Sequence, residues 1–63
     1  MNEERFNREL RSFLKKVGIT SQREIEKAVW SNEYSGGSVT ATVHLRVEAL
    51  GVDVVIEDDI GLE

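Results

Sequence analysis

The 63-residue sequence predicts an α+β domain in the order α-α-β-β, with two helices on one face of an antiparallel hairpin. Three observations carry that prediction. Val39, Ala41, Val43, Leu45, Val47 and Ala49 alternate with polar residues, and Val52, Val54, Ile56, Ile60 and Leu62 resume the alternation after Leu50-Gly51. Period-two patterning in stretches rich in Val, Ile and Thr marks half-buried strands. Upstream, Phe6, Leu10, Phe13, Leu14 and Val17 fall within an arc about 100° wide, the apolar stripe of a surface helix. Between that stripe and a second, shorter one, Gly18 and Ser21 have the chemistry of a helix stop followed by a helix start.

The first helix is predicted over about 3–17. Asn2 caps its first turn, Glu3 and Glu4 complement the positive end of the macrodipole, and Lys15 and Lys16 favour the negative end. Gly18 supplies the left-handed C′ position. Ser21 and Glu24 have the spacing of a capping box, which opens a second helix over about 22–31. That helix has only Ile25, Ala28 and Val29 to bury, so it needs a partner surface. Trp30 lies off this stripe.

Ser31 to Ser38 forms a loop around Gly36-Gly37. It is not a phosphate cradle, which places Gly-Lys-Ser/Thr or further glycines between a strand and a helix. The hairpin follows over about 39–62. With Leu50-Gly51 as a two-residue loop, residue i faces 101 − i. Ala49 then meets Val52, Val47 meets Val54, Leu45 meets Ile56, Ala41 meets Ile60 and Val39 meets Leu62, all on one face. Val43 opposite Asp58 is the exception, and a bulge or an outward-turned carboxylate accommodates it.

Candidate chemistry is sparse. His44 stands on the polar face between Thr42 and Arg46, facing Glu57 in this register, and reads as a solvated outer-face histidine. Glu57-Asp58-Asp59 lacks calcium-loop spacing, and neighbours in a strand point to opposite faces, so no metal is expected there. The run instead blunts a strand against aggregation. No nucleophile–base pair, carboxylate dyad or cofactor fingerprint is present, so neither an enzyme nor a cofactor is expected.

The remaining candidates are contact residues. Trp30 and Tyr34 are aromatics off the core stripe, as interface anchors tend to be. Arg8, Arg11 and Lys15 lie on the face of the first helix away from its apolar stripe. They suggest a second reading, a nucleic-acid-binding regulator that uses this basic face. An overall charge of −4 and an isoelectric point near 4.9 weigh against it. The charge is unevenly spread: residues 1–30 hold seven Lys/Arg against five Glu, and residues 31–63 hold one Arg against seven Asp/Glu.

Size bears on association. The chain has no cysteine and one histidine, so neither disulfides nor a histidine-rich metal site can staple a small core. No apolar run approaches membrane-spanning length, and the charged N-terminus lacks a signal peptide's apolar core. The expectation is a soluble cytoplasmic protein. A strand of about eleven residues spans roughly 36 Å, whereas a two-stranded ribbon is only about 10 Å wide. Two helices would overhang such a ribbon. Edge-to-edge pairing with a second copy gives a four-stranded sheet wide enough for both, so the expected partner is the chain itself, as a homodimer.

The N-terminal half, with its run Phe13-Leu14-Lys15-Lys16-Val17-Gly18-Ile19-Thr20-Ser21-Gln22-Arg23-Glu24-Ile25-Glu26, resembles a family of small bacterial proteins of unknown function. The family also ends in an alternating, acidic, hairpin-like segment. The resemblance implies a bacterial cytosolic protein in α-α-β-β order, and an intertwined homodimer. It implies no activity, cofactor or catalytic residue. The function expected is a small non-catalytic homodimeric interaction or scaffolding module with an unidentified protein partner.

Overall fold

The computed structural model describes residues 1–32 and 36–63. They form two units, Met1–Glu33 and Tyr34–Glu63. The first is a single helix and the second an antiparallel hairpin, so the protein is α+β.

Helix α1 runs from Glu3 to Ser31 without a break. The predicted order α-α-β-β is therefore corrected to α-β-β, the expected helices over 3–17 and 22–31 being one. Gly18 stops a helix only by adopting positive φ. The glycines that do so are Gly36, Gly37 and Gly51. At Gly18 the helical conformation costs about 1 kcal/mol relative to alanine. A break there would instead leave up to four carbonyls and four amides without intrahelical partners. The chain also contains no proline to force one.

Phase settles the matter. Phe6, Leu10, Leu14, Val17, Ser21, Ile25 and Ala28 follow one another at spacings of four or three, and all lie within a single arc about 100° wide. Both halves thus present their apolar side in the same direction, and nothing is gained by folding one back. Ser21, the expected cap, is a half-buried member of this stripe. Glu24, its expected capping-box partner, pairs with Lys27 at 3.4 Å.

The true ends of α1 carry real caps. The Asn2 carboxamide oxygen accepts the Arg5 amide at 3.0 Å. At the other end the Asn32 side-chain amide donates to the Ala28 carbonyl at 2.8 Å. Lys15 and Lys16, expected in a last turn, sit in mid-helix, and the last turn holds no basic residue.

Strand β1 spans Ser38–Val47 and strand β2 spans Val52–Gly61. The turn between them is a short 3₁₀ segment, Glu48–Leu50, closed by Gly51 at φ 68° with its amide donating to the Glu48 carbonyl at 3.1 Å. A four-residue connection replaces the expected two-residue one. Leu-Gly lacks the residue pair that a tight two-residue hairpin turn demands, whereas a helical turn followed by a left-handed glycine suits Glu-Ala-Leu-Gly.

The register moves by two residues in consequence. Val47 faces Val52, Leu45 faces Val54, Val43 faces Ile56, Ala41 faces Asp58 and Val39 faces Ile60. A shift of two leaves every strand residue on its expected face, while Ala49, expected opposite Val52, lies in the turn instead. The shift also removes the awkward Val43–Asp58 pairing and sets Asp58 opposite alanine, the smallest side chain of that row. The open end of the hairpin is tied by Leu62, whose amide donates to the Gly37 carbonyl, and by Glu63, whose carboxylate accepts the Gly37 amide, each at 2.9 Å.

Candidate functional site

The polar face of the hairpin has the most cross-strand order. The Thr40 hydroxyl donates to Asp59 at 2.8 Å and the Thr42 hydroxyl to Glu57 at 3.4 Å, each across a directly opposed pair. His44 contacts Asp53 through Nε2, and Arg46 lies 3.9 Å from the other oxygen of the same carboxylate. His44 therefore does not meet Glu57 as the two-residue loop required. Its direct opposite is Val55, and its ring reaches diagonally to Asp53.

A histidine beside a carboxylate is the beginning of a general-base device, but catalysis also needs a nucleophile or substrate pocket within reach. Both side chains are about half exposed, at 49% and 61%, and the nearby Thr42 hydroxyl is committed to Glu57. The cluster is a row of cross-strand pairs that holds the ladder in register. Among the described residues no group of three or more His, Cys, Asp or Glu side chains is placed to hold a metal ion.

Alternation puts Asp53 on the polar face with Glu57 and Asp59 but does not identify it as the partner of His44 and Arg46. The signal was present in the outward pairs. Only a register in which partners sum to 99 sets Thr40 against Asp59, Thr42 against Glu57 and Arg46 against Asp53. Either register leaves one inward pair that contains Asp58 and the others apolar, so the inward pairs discriminate poorly.

On α1, Arg8, Arg11 and Lys15 fall within about 60° of one another around the axis, to one side of the apolar stripe. Arg8 and Arg11 line a shallow depression with Glu4 and Asn7. Among the described residues none of the three lies in an ion pair; the helix pairs are Arg5–Glu9 at 3.2 Å and Lys27–Glu24. Trp30 stands near the end of α1 with 73% of its surface exposed. Tyr34, the other aromatic candidate, lies outside the described residues, so the two are not placed together.

The apolar stripe is the largest feature of the first unit. Phe6, Leu10, Phe13 and Leu14 are 42–51% exposed, and Ile25 is 37% exposed. On the inward face of the hairpin Val43, Val54 and Ile56 are likewise exposed. No described residue is fully buried. No helix among the described residues is long and apolar enough to cross a membrane.

These features define a small α+β protein with one amphipathic helix and one two-faced hairpin, each of which offers surfaces among its described residues. The chain belongs to a family of unknown function (DUF6494), whose family model matches residues 1–63. The resemblance carried by the N-terminal half to a family without an assigned role thus extends over the whole chain. No curated protein and no solved structure matches it.

Proposed function

We propose that this protein is a small non-catalytic interaction or scaffolding module of the bacterial cytosol that works as a homodimer. The observation that carries the proposal is the exposure of two apolar faces in a chain of 63 residues, the helix stripe through Phe6, Leu10 and Leu14 and the sheet row through Val43, Val54 and Ile56. Contiguous apolar faces of this kind mark association surfaces. A two-stranded hairpin also gains little stability alone, and three or more strands with a covered face are needed for independence. Pairing with a second copy supplies both the strands and the cover. Trp30, exposed near the end of α1, is the contact candidate for a further protein partner.

Sedimentation equilibrium at micromolar concentration tests the reading. A 14 kDa species is expected, about twice the chain mass of 7.1 kDa, with a melting temperature that rises with protein concentration. A folded monomer with a dilution-independent melting temperature removes it.

Arg8, Arg11 and Lys15, free of ion pairs among the described residues, support a second reading in which that flank of α1 holds a nucleic-acid backbone. The hairpin argues the other way, with Asp53, Glu57, Asp58 and Asp59 on β2 to repel phosphate. Titration of generic duplex DNA at low salt separates the two readings: absence of binding eliminates the second.

A further inference from the structure

The two strands of the hairpin are chemically unequal at their outer edges, and the inequality says where a second copy can pair. Strand β2 carries Asp53, Glu57 and Asp59 on the outward face. It also carries Asp58 on the inward face, opposite Ala41. A charge pointing inward from an edge strand is a common device for keeping that edge unpaired. An antiparallel β2–β2′ contact would in addition bring two sets of carboxylates side by side, and like charges across strands are destabilising.

Strand β1 is the opposite case. Between Val39 and Val47 it contains no carboxylate, and its inward positions are Val39, Ala41, Val43, Leu45 and Val47 without interruption. Its outward polar side chains are drawn away from the free edge, because Thr40, Thr42, His44 and Arg46 all reach across to carboxylates of β2. The Arg46 guanidinium, the cation of this strand, faces the Asp53 carboxylate, so a second β1 meets neither a charge conflict nor a side chain folded over the edge.

We infer that β1 is the edge at which two copies join, giving a four-stranded sheet in the order β2-β1-β1′-β2′. The inference rests on the homodimer reading and names its surface. Such a contact between identical strands is isologous and antiparallel, so a two-fold axis passes through it. An axis at Val43 gives nearly full overlap of β1. It sets Ala41 against Leu45′ and Val39 against Val47′ on the inward face, and Thr42 against His44′ on the outward face. Asp58 then falls on the outermost strands of the sheet, where its carboxylate is nearest solvent.

The absence of cysteine makes the test direct. Thr42→Cys and Glu57→Cys, both at exposed outward positions, are each labelled with a nitroxide, checked for dimer mass by sedimentation, and measured by electron paramagnetic resonance. At residue 42 the two labelled strands are one spacing apart, about 5 Å, and at residue 57 three spacings apart, about 14 Å. Strong dipolar broadening at 42 with a separation roughly 10 Å longer at 57 is the expected result. Loss of dimer mass on labelling 42 but not 57 supports the same edge. The shorter distance at 57, or long distances at both positions in a protein that remains dimeric, overturns the β1 edge and leaves the homodimer standing. A monomeric unmodified chain overturns both.

Discussion

The helix and the hairpin respond to sequence in different ways. In α1 the strongest local signals, a glycine preceded by two lysines and a Ser-x-x-Glu box, are passed over, and the element runs on for 29 residues. In the hairpin every residue of the two strands lies on the face that alternation assigns it, although its pairing partner differs. A cap is worth about 1 kcal/mol, comparable to the cost of one glycine inside a helix, so such a signal decides only when nothing longer-ranged opposes it. Alternation is a sum over a whole strand, and reversing it would expose an entire apolar row at once. Signals that add over many residues survive; single-residue punctuation is negotiable.

Substitutions sharpen this contrast, and the largest effect is expected in the summed signal. Leu45→Asp places a carboxylate in the apolar row opposite Val54 and should cost about 3 kcal/mol or more, abolishing cooperative unfolding followed by circular dichroism. Arg46→Ser, one residue on and on the other face, should shift the melting temperature only slightly. Equal sensitivity of the two positions would mean that the hairpin has no preferred face.

A smaller effect should separate two glycines. Gly51→Val forces a β-branched residue to φ near 68° and should lower stability by about 2 kcal/mol. Gly18→Ala, at a helical position where an added Cβ meets nothing within 4 Å, should raise it by up to about 1 kcal/mol. Denaturant midpoints measure both. A destabilising Gly18→Ala would indicate that the helix does break there.

The smallest effects distinguish the real cap from the unused one. Asn2→Ala removes the acceptor for the Arg5 amide and should destabilise by about 1 kcal/mol, seen as faster amide exchange in the first turn of α1. Ser21→Ala exchanges a poor helix former for the best one inside a continuous helix, for a gain of about 0.5 kcal/mol. A loss of about 1 kcal/mol at Ser21 would restore the capping box.

By itself the sequence determined the class, the two faces of the sheet, the stripe of the helix and the cap at Asn2. These follow from periodicity or from neighbours within a single turn, where the interacting groups are close along the chain. The uninterrupted helix followed from a phase shared across Gly18 that outweighs the local stop signals, and the pairing register was decided only by the tertiary structure. Whether Gly18 ends a helix depends on whether the residues after it face the same way as those before. Whether Val43 meets Ile56 or Asp58 depends on how the Glu48–Gly51 turn closes. The role of His44 changed with that register, from an expected neighbour of Glu57 to a partner of Asp53. Residues adjacent along a strand keep their faces however the turn forms, but which residue lies across the ladder is settled only when the two strands meet.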